Sequence, residues 1–213
     1  MKMEIVTVLL LVLAAFTLGS VPFSLLVGRW FLHDDIRGYA DGNPGAYNVF
    51  RAGGRKAGVL AVLLDVGKGM PFVYLSHAVF HLAPTMTVAV AVGAVLGHAF
   101  SPFLQWHGGK AVAVTFGVLL ALPQHQLLLA FMAFMLLGAL FIETDAWTVI
   151  FGAAGTLAFF AFTRGGTWET LLILCILVIL VVKHFEALHA FPGFKGRLVR
   201  WVQAVVRGPM SII

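Results

Sequence analysis

Residues 35–51 combine charged side chains with glycines and asparagines, a composition suited to binding anionic oxygens. They read DIRGYADGNPGAYNVFR. Glycines let consecutive backbone N–H groups point towards one place, and the asparagine and arginine side chains add hydrogen-bond donors. The segment therefore predicts a phosphate site. The alternative is a glycine-rich cytoplasmic connection whose arginines interact with lipid head groups.

A second cluster, residues 105–110, reads QWHGGK and follows Gly97-His98. It precedes a run rich in small residues, so we expect the Gly108 and Gly109 amides to lie at a helix start, where the helix dipole favours an anion. Lys110 then adds a positive charge beside them. The alternative is that Lys110 is a membrane anchor whose stem lies along apolar surface.

Two further groups of ionisable residues lie within or at the end of apolar runs. Asp65 and Lys68 are three residues apart and share one helix face. Because ionisable groups inside a membrane span are costly, this pair either lines a polar cavity or forms an ion pair that only orients its helix. Residues 183–186, KHFE, end the last apolar run. His184 and Glu186 are candidates for proton transfer, and a plain interfacial polar end is the alternative.

The composition indicates which class of protein must position these residues. Hydrophobic residues make up 61% of the 213-residue chain and charged residues 11%, against about 45–50% and about 25% in soluble domains. An ordinary soluble domain is therefore excluded. The formal net charge of +5 is interpreted as a sign of membrane orientation, with no nucleic-acid partner. The single cysteine, Cys175, provides neither a disulfide framework nor a thiolate metal cluster.

Seven apolar runs predict an all-α integral membrane protein, a bundle of about seven transmembrane helices in one membrane domain covering residues 1–213. The runs are 5–30, 57–82, 84–103, three within 111–163, and 168–182. Breaks at residues 123–126 and 143–145 divide the 111–163 stretch, and its first run is short.

The distribution of lysine and arginine then predicts the orientation. An odd number of spans puts the termini on opposite faces. One face collects Arg29, Arg37, Arg51, Arg55, Lys56, Lys110, Lys183, Lys195, Arg197, Arg200 and Arg207, whereas the other has Lys2 and Arg164. Positive charge favours the cytoplasm, so we expect the N-terminus outside and the C-terminus cytoplasmic. The same parity brings the three polar clusters to the cytoplasmic face, where they can converge.

In order along the chain, these clusters resemble the three motifs of the bacterial acyl-phosphate-dependent glycerol-3-phosphate acyltransferases, the PlsY family. The resemblance covers nearly the whole chain. The matching residues are Gly19-Ser20-Val21-Pro22-Phe23, Asp35-Ile36-Arg37, Gly42-Asn43, Gly45-Ala46, Asn48, Arg51, Leu64-Asp65, Lys68-Gly69, Gly97-His98, Gly108-Gly109-Lys110, His184 and Glu186.

The resemblance implies a multi-pass enzyme of the bacterial inner membrane, with no metal or other cofactor. Its substrates would be acyl phosphate and glycerol 3-phosphate, and its surroundings membrane lipid. It would transfer the acyl group to a hydroxyl of glycerol 3-phosphate, giving lysophosphatidic acid and phosphate in phospholipid biosynthesis. Phosphate is a good leaving group, so positioning and charge stabilisation would supply most of the rate.

The resemblance also implies roles for individual residues. Arg51 and Lys110 would bind phosphate, His184 would position the acceptor, and Glu186 would orient His184. These four are the expected catalytic residues. The expected substrate-binding residues are Asp41, Gly42, Asn43, Gly45, Asn48, Asp65, Lys68, His98, Gly108 and Gly109. Among them, the Gly108 and Gly109 amides would donate to an oxyanion or phosphate, and Asp65 with Lys68 would form the pocket wall.

The chain departs from the family pattern at several of these motifs. Asp41 stands where the family has serine, Tyr47 where it has threonine, and His107 where it has lysine. In addition, Ala111 replaces a glycine and Ala187 an asparagine. A carboxylate repels phosphate unless it is protonated or paired with a cation, for which Arg37 and Arg51 are the candidates.

Two other functions are also open, the first because of these departures. One is a catalytically silent or altered-specificity relative that binds lipid phosphates or another enzyme of phospholipid synthesis. The other is a small transporter in which Asp65 and Lys68 line a pathway.

Overall fold

The computed structural model describes residues 2–196, and the apolar runs within them form helices. This is the expected outcome for apolar sequence in lipid, because a helix satisfies its backbone N–H and C=O groups internally. The α-helices are α1 (Lys2–Ser20), α2 (Phe23–Val27), α3 (Ala46–Arg51), α4 (Arg55–Gly67), α5 (Pro71–Tyr74), α6 (Pro84–Ala99), α7 (Val112–Ala121), α8 (His125–Phe141), α9 (Asp145–Arg164) and α10 (Trp168–Leu188).

Five segments of the described chain are long and apolar enough to cross a membrane: Met3–Leu32, Arg55–Val79, Pro84–Leu104, Asp145–Arg164 and Trp168–Leu188. The other two predicted runs form the shorter apolar helices α7 and α8. The prediction of an all-α integral membrane protein is confirmed. With ten residues, α7 is about 15 Å long at about 1.5 Å per residue, half the thickness of a bilayer core. It lies inside the bundle, where Val114, Val118 and Leu119 are fully buried.

The first predicted span is not one regular helix, because it breaks at Val21-Pro22 between α1 and α2. Proline lacks a backbone N–H and interrupts the helical hydrogen-bond ladder. The Val21 carbonyl accepts a hydrogen bond from Lys68 Nζ at 2.8 Å, so a polar partner satisfies the irregular backbone within the span. The second span also breaks just after Lys68, between α4 and α5, where Pro71 begins the next helix.

Helices α1 and α6 pack closely through glycines on their facing surfaces. A Cβ at Gly19 would collide with the Ala94 carbonyl, and one at Gly97 would collide with the Phe16 carbonyl. Small residues permit this approach of two backbones, which is the usual basis of helix packing in membranes. Around this pair, α6 contacts α10, which packs on α9, and α9 packs on α8.

The last helix ends later than the predicted apolar run, which stopped at residue 182. Helix α10 continues through residues 183–186 to Leu188. The segment that follows returns to the end of α8. Lys195 N donates to the Phe141 carbonyl at 3.0 Å, and Glu143 N donates to the Gly193 carbonyl at 2.7 Å. Three arginines used in the orientation argument, at 197, 200 and 207, lie outside the described residues.

Candidate active site

One cavity of about 640 Å³ brings together residues from the three polar clusters. It lies among α3, α4, α6, α7, α9 and α10, and its wall includes apolar side chains such as Val66 and Phe116. The predicted site residues that line it are Asp41, Asn43, Gly45, Asn48, Asp65, His98, Lys110 and His184. The structure therefore shows the convergence that the parity of the spans predicts.

The loop before α3 presents Asp41 and Asn43 to this cavity. Gly42 has a φ of 71° and donates its N–H to the Tyr39 carbonyl at 3.0 Å, a left-handed turn conformation that glycine adopts without steric cost. Asn43 N donates to Asp41 Oδ1 at 3.2 Å. Asn48 Nδ2 then donates to the Asn43 carbonyl at 2.8 Å, which joins the loop to α3.

Asp41 pairs with Lys110, not with either of the arginines considered from the sequence. Lys110 Nζ lies 2.6 Å from Asp41 Oδ2, and the two side chains are 38% and 37% exposed. Arg37 instead contacts Asp35, with Nη2 to Oδ2 at 2.6 Å. Burial alone would raise the pKa of Asp41, but the hydrogen bonds from Lys110 and Asn43 N outweigh burial and hold it below its usual value. Asp41 is therefore an ionised, paired carboxylate at neutral pH.

Arg51 lies at the exposed end of α3 and does not line the cavity. It follows Asn48 by three residues, so the two share a face of this short helix. Asn48 is fully buried, and its Oδ1 has no hydrogen-bond partner among the described residues. A buried amide oxygen without a partner is costly, so Asn48 Oδ1 is a candidate acceptor for a donor on a bound molecule.

Asp65 and Lys68 form a buried ion pair at the cavity wall. Lys68 Nζ lies 2.7 Å from Asp65 Oδ1, and each side chain is 2% exposed. Ser24 Oγ donates to Asp65 Oδ2 at 2.5 Å, and His98 Nδ1 lies 3.9 Å from Asp65 Oδ1. Asp65 and His98 line the cavity, whereas Lys68 does not. Ser24 was not among the site residues predicted from the sequence. The sequence feature that could have indicated it is a polar side chain within an apolar run.

His184 is buried and contacts its own helix rather than Glu186. Its Nδ1 lies 2.8 Å from the Leu180 carbonyl. A carbonyl oxygen can only accept, so Nδ1 carries the proton, and in the neutral ring Nε2 is the acceptor available to the cavity. Glu186 is exposed and lies two residues further on, a spacing that does not share a helix face. The expectation that Glu186 orients His184 is therefore wrong in this structure.

The two glycines before Lys110 do not begin a helix. Helix α7 starts at Val112, and Gly109 N donates to the His98 carbonyl at 3.0 Å. An added Cβ at Gly108 would collide with the backbone of His98, and one at Gly109 would collide with the His98 ring. The glycines thus allow the loop to pack against the end of α6. The Gly109 amide is used within the protein rather than presented to an anion.

Asp145, the first residue of α9, lines the cavity but was not among the predicted site residues. The chain break at residues 143–145 supplies the signal that could have found it. Counting spans puts this break on the same face as the three polar clusters. The Asp145 carboxylate adds a negative charge to the cavity wall, which also contains His184.

The departures from the family pattern occupy different surroundings. Tyr47 and Ala111 line the cavity. His107 is exposed, with its Nδ1 2.7 Å from the Gln105 carbonyl, and Ala187 is exposed on α10. With Asp41, three of the five replacements thus change the cavity wall directly.

The sequence is similar to a well-populated family. The chain matches the family model described as "Glycerol-3-phosphate acyltransferase" over residues 9–191. A glycerol-3-phosphate acyltransferase from Myxococcus xanthus (strain DK1622) is 46% identical over 118 residues, covering 55% of this chain and 62% of that protein. One from Streptococcus pyogenes serotype M5 (strain Manfredo) is 30% identical over 200 residues, covering 91% of this chain and 93% of that protein.

Solved structures agree in fold. The chain is similar to the glycerol 3-phosphate form of PlsY (YgiH), an integral membrane glycerol 3-phosphate acyltransferase, with a TM-score of 0.76 and 26% identity. That likeness covers 85% of this chain and 90% of the PlsY chain. The lysophosphatidic acid form gives a TM-score of 0.75. The residues matched by the family model, 9–191, include every residue that lines the cavity.

Proposed function

Because this chain belongs to the glycerol-3-phosphate acyltransferase family, we propose that it transfers a fatty acyl group from acyl phosphate to glycerol 3-phosphate. The products are lysophosphatidic acid and phosphate. The observation that carries the proposal is the cavity itself, which combines Lys110, Asn48 and His184 with an apolar wall among membrane helices. An amphiphile with an anionic head and a hydrocarbon chain fits this combination.

Lys110 binds the phosphate of the acyl donor, and its acyl chain lies along Val66, Phe116 and the neighbouring apolar wall. A hydroxyl of glycerol 3-phosphate donates to His184 Nε2. As the oxygen of that hydroxyl forms the ester bond to the acyl carbon, His184 takes its proton. The bond between the acyl carbon and the phosphate oxygen breaks, and phosphate leaves with the electron pair. Positioning and a fixed cation supply the catalysis.

The other predicted residues support this arrangement in different ways. Asn48 Oδ1 accepts from a second hydroxyl of the acceptor, which satisfies its buried oxygen. Arg51, on the same face of α3, attracts anionic substrates to the cavity mouth. Asp65 and Lys68 fix the wall, and Gly108 and Gly109 fix the loop that holds Lys110 and His98 in place.

The cavity opens to the cytoplasm of a bacterial inner membrane in this proposal, with the N-terminus outside. The distribution of lysine and arginine supports this orientation. A cytoplasmic opening gives water-soluble glycerol 3-phosphate direct access, while the acyl donor and the product exchange through the membrane. Contact with other enzymes of phospholipid synthesis would occur on this face.

The test is release of phosphate from palmitoyl phosphate by the purified protein in lipid, with and without glycerol 3-phosphate. We expect release that depends on glycerol 3-phosphate. Lys110→Ala should lower the rate by about 100-fold or more, the loss typical of a removed charge-stabilising group. Lys56→Ala is the matched control, because Lys56 is exposed at the start of α4 and does not line the cavity. Unchanged release by Lys110→Ala would show that the assigned role is wrong.

A catalytically silent relative is the second candidate function. The ion pair between Asp41 and Lys110 favours it, because the carboxylate occupies the lysine that would bind phosphate. It predicts saturable binding of palmitoyl phosphate or lysophosphatidic acid without phosphate release. The same assay, with binding measured in parallel, separates the two functions.

A further inference from the structure

The charges of the cavity lining do not cancel. Its aspartates and its lysine are Asp41, Asp65, Asp145 and Lys110. Asp41 is paired with Lys110 at 2.6 Å, and Asp65 is paired with Lys68 at 2.7 Å. Within residues 2–196, no ion pair or hydrogen bond involves the Asp145 side chain. Asp145 therefore gives the lining a carboxylate that no cation compensates.

Asp145 lies on the helix that packs against the one carrying His184. It is the first residue of α9, α9 packs on α10, and both side chains line the same cavity. Asp145 is exposed, so a ligand can reach its carboxylate. The start of a helix favours an anion with roughly half an elementary charge, which is less than the charge of the carboxylate. A cation on a bound molecule is thus the complement that this wall lacks.

Asn48 provides a second, independent sign that the missing group is a donor. Asn48 is fully buried and lines the same cavity. Its Nδ2 donates to the Asn43 carbonyl at 2.8 Å, whereas its Oδ1 has no partner in the described part of the chain. An ammonium group has three donors and no acceptor. It can therefore satisfy an amide oxygen and a carboxylate together.

The acyl donor strengthens the preference for a cation once it is bound. Lys110 is the one lysine or arginine that lines the cavity among the described residues, and the donor phosphate binds there in the proposed reaction. Lys183 lies outside the lining, with Nζ 5.4 Å from the centre of the Phe100 ring. A second anion would be repelled by both the donor phosphate and Asp145, whereas a cation would be attracted by both.

We propose that the cavity takes a second class of acyl acceptor, a small amino alcohol whose protonated amine binds to Asp145 and Asn48 Oδ1. This inference rests on the proposed function, in which His184 receives the proton of a hydroxyl. The hydroxyl oxygen of the amino alcohol forms the ester bond to the acyl carbon, and its proton goes to His184 Nε2. The bond between the acyl carbon and the phosphate oxygen breaks, and phosphate leaves with the electron pair. The protonated amine has no lone pair, so the hydroxyl is the nucleophile.

The first experiment compares the binding of 2-amino-1,3-propanediol, the aminodiol, with that of glycerol, which has a hydroxyl in place of the ammonium. Purified protein in neutral lipid nanodiscs at pH 7 is titrated in the presence of hexadecyl phosphate, a donor mimic that has no acyl group to transfer. We expect the parent to bind the aminodiol about fivefold or more tightly than glycerol. Asp145→Asn should bring the ratio of the two affinities close to one, and Asp145→Glu should retain most of it.

Glu143→Gln is the matched control. Glu143 is a carboxylate two residues before Asp145 that is exposed and does not line the cavity, so its loss should leave the ratio near that of the parent. The inference is overturned if the parent binds both probes equally, if Asp145→Asn leaves the ratio unchanged, or if Glu143→Gln lowers it as much as Asp145→Asn does.

The second experiment measures phosphate release from palmitoyl phosphate with the aminodiol or glycerol 3-phosphate as acceptor. Release that depends on the aminodiol, and that Asp145→Asn lowers more than Glu143→Gln does, is expected. Release with glycerol 3-phosphate alone would uphold the proposed function and overturn the inference. Tighter binding of the aminodiol without release from either acceptor would uphold the amine site and contradict the proposed function.

Discussion

At the residue scale, three carboxylates of the polar clusters have cationic partners, and those partners determine the chemistry. Asp41 contacts Lys110, Asp65 contacts Lys68, and Asp35 contacts Arg37. Removing one member of the buried pair would leave an uncompensated charge, which is strongly destabilising. The exposed pairs contribute little to stability.

His184 and Glu186 provide a direct test of the residue assignments. His184→Ala should lower kcat by about 100-fold or more, the usual contribution of a general base, with a smaller change in KM for palmitoyl phosphate. Glu186→Gln should retain most of the parent kcat, because Glu186 is exposed and the Leu180 carbonyl orients the imidazole. The measurement is steady-state acyl transfer in lipid. An equal loss of kcat in both variants would restore Glu186 to the catalytic group.

At the element scale, irregular helices and glycine contacts position the site. The first two spans break beside Pro22 and Pro71, and Lys68 bridges these breaks by donating to the Val21 carbonyl. On α6, Gly97 lies against α1, and His98 follows it with its side chain on the cavity wall. The separation of α1 and α6 therefore affects where His98 lies.

Gly97 and Gly67 form a matched pair for testing this packing. Gly97→Ala should lower the free energy of unfolding by about 1–3 kcal/mol, because its Cβ would overlap the α1 backbone at Phe16. Gly67→Ala, also in a helix, has nothing within 4 Å of the added Cβ. It should be neutral or stabilise by up to about 1 kcal/mol through helix propensity.

Thermal unfolding in detergent measures both glycine variants. A lower Tm for Gly97→Ala with an unchanged or higher Tm for Gly67→Ala is the expected result. If both variants unfolded at the temperature of the parent, α1 and α6 would not pack as closely as described.

At the scale of the whole molecule, the bundle separates lipid-facing surface from a polar interior near one end. Large apolar side chains such as Leu136, Leu140 and Phe162 are 63%, 66% and 91% exposed, as expected of helices that contact acyl chains. Asp41 and Asp65 line the interior cavity, and each is paired with a lysine.

The proposed orientation can be tested with single cysteines in a Cys175→Ser background. Gly38→Cys and Gly166→Cys are suitable, because both positions are exposed and an added Cβ meets nothing within 4 Å. A membrane-impermeant maleimide should label Gly166→Cys in intact spheroplasts and Gly38→Cys only after permeabilisation. The opposite labelling pattern would reverse the orientation, and labelling of both in intact spheroplasts would contradict the span count.

The sequence by itself determined the membrane class, the positions of the seven apolar runs and the meeting of the three polar clusters. These features depend on local hydrophobicity, segment length and parity, all of which can be read without knowing how helices rotate. Asp65 with Lys68 also follows from the sequence, because a spacing of three fixes both on one helix face.

Only the tertiary structure decided which polar groups meet inside the cavity. Asp41 contacts Lys110 rather than Arg37 or Arg51, and the Gly109 amide donates to the His98 carbonyl. His184 is oriented by the Leu180 carbonyl, and Asp145 joins the wall. Apart from the local His184 bond, these contacts join distant segments. They depend on the rotation and depth of each helix, which arise from packing across the whole bundle rather than from spacing along the chain.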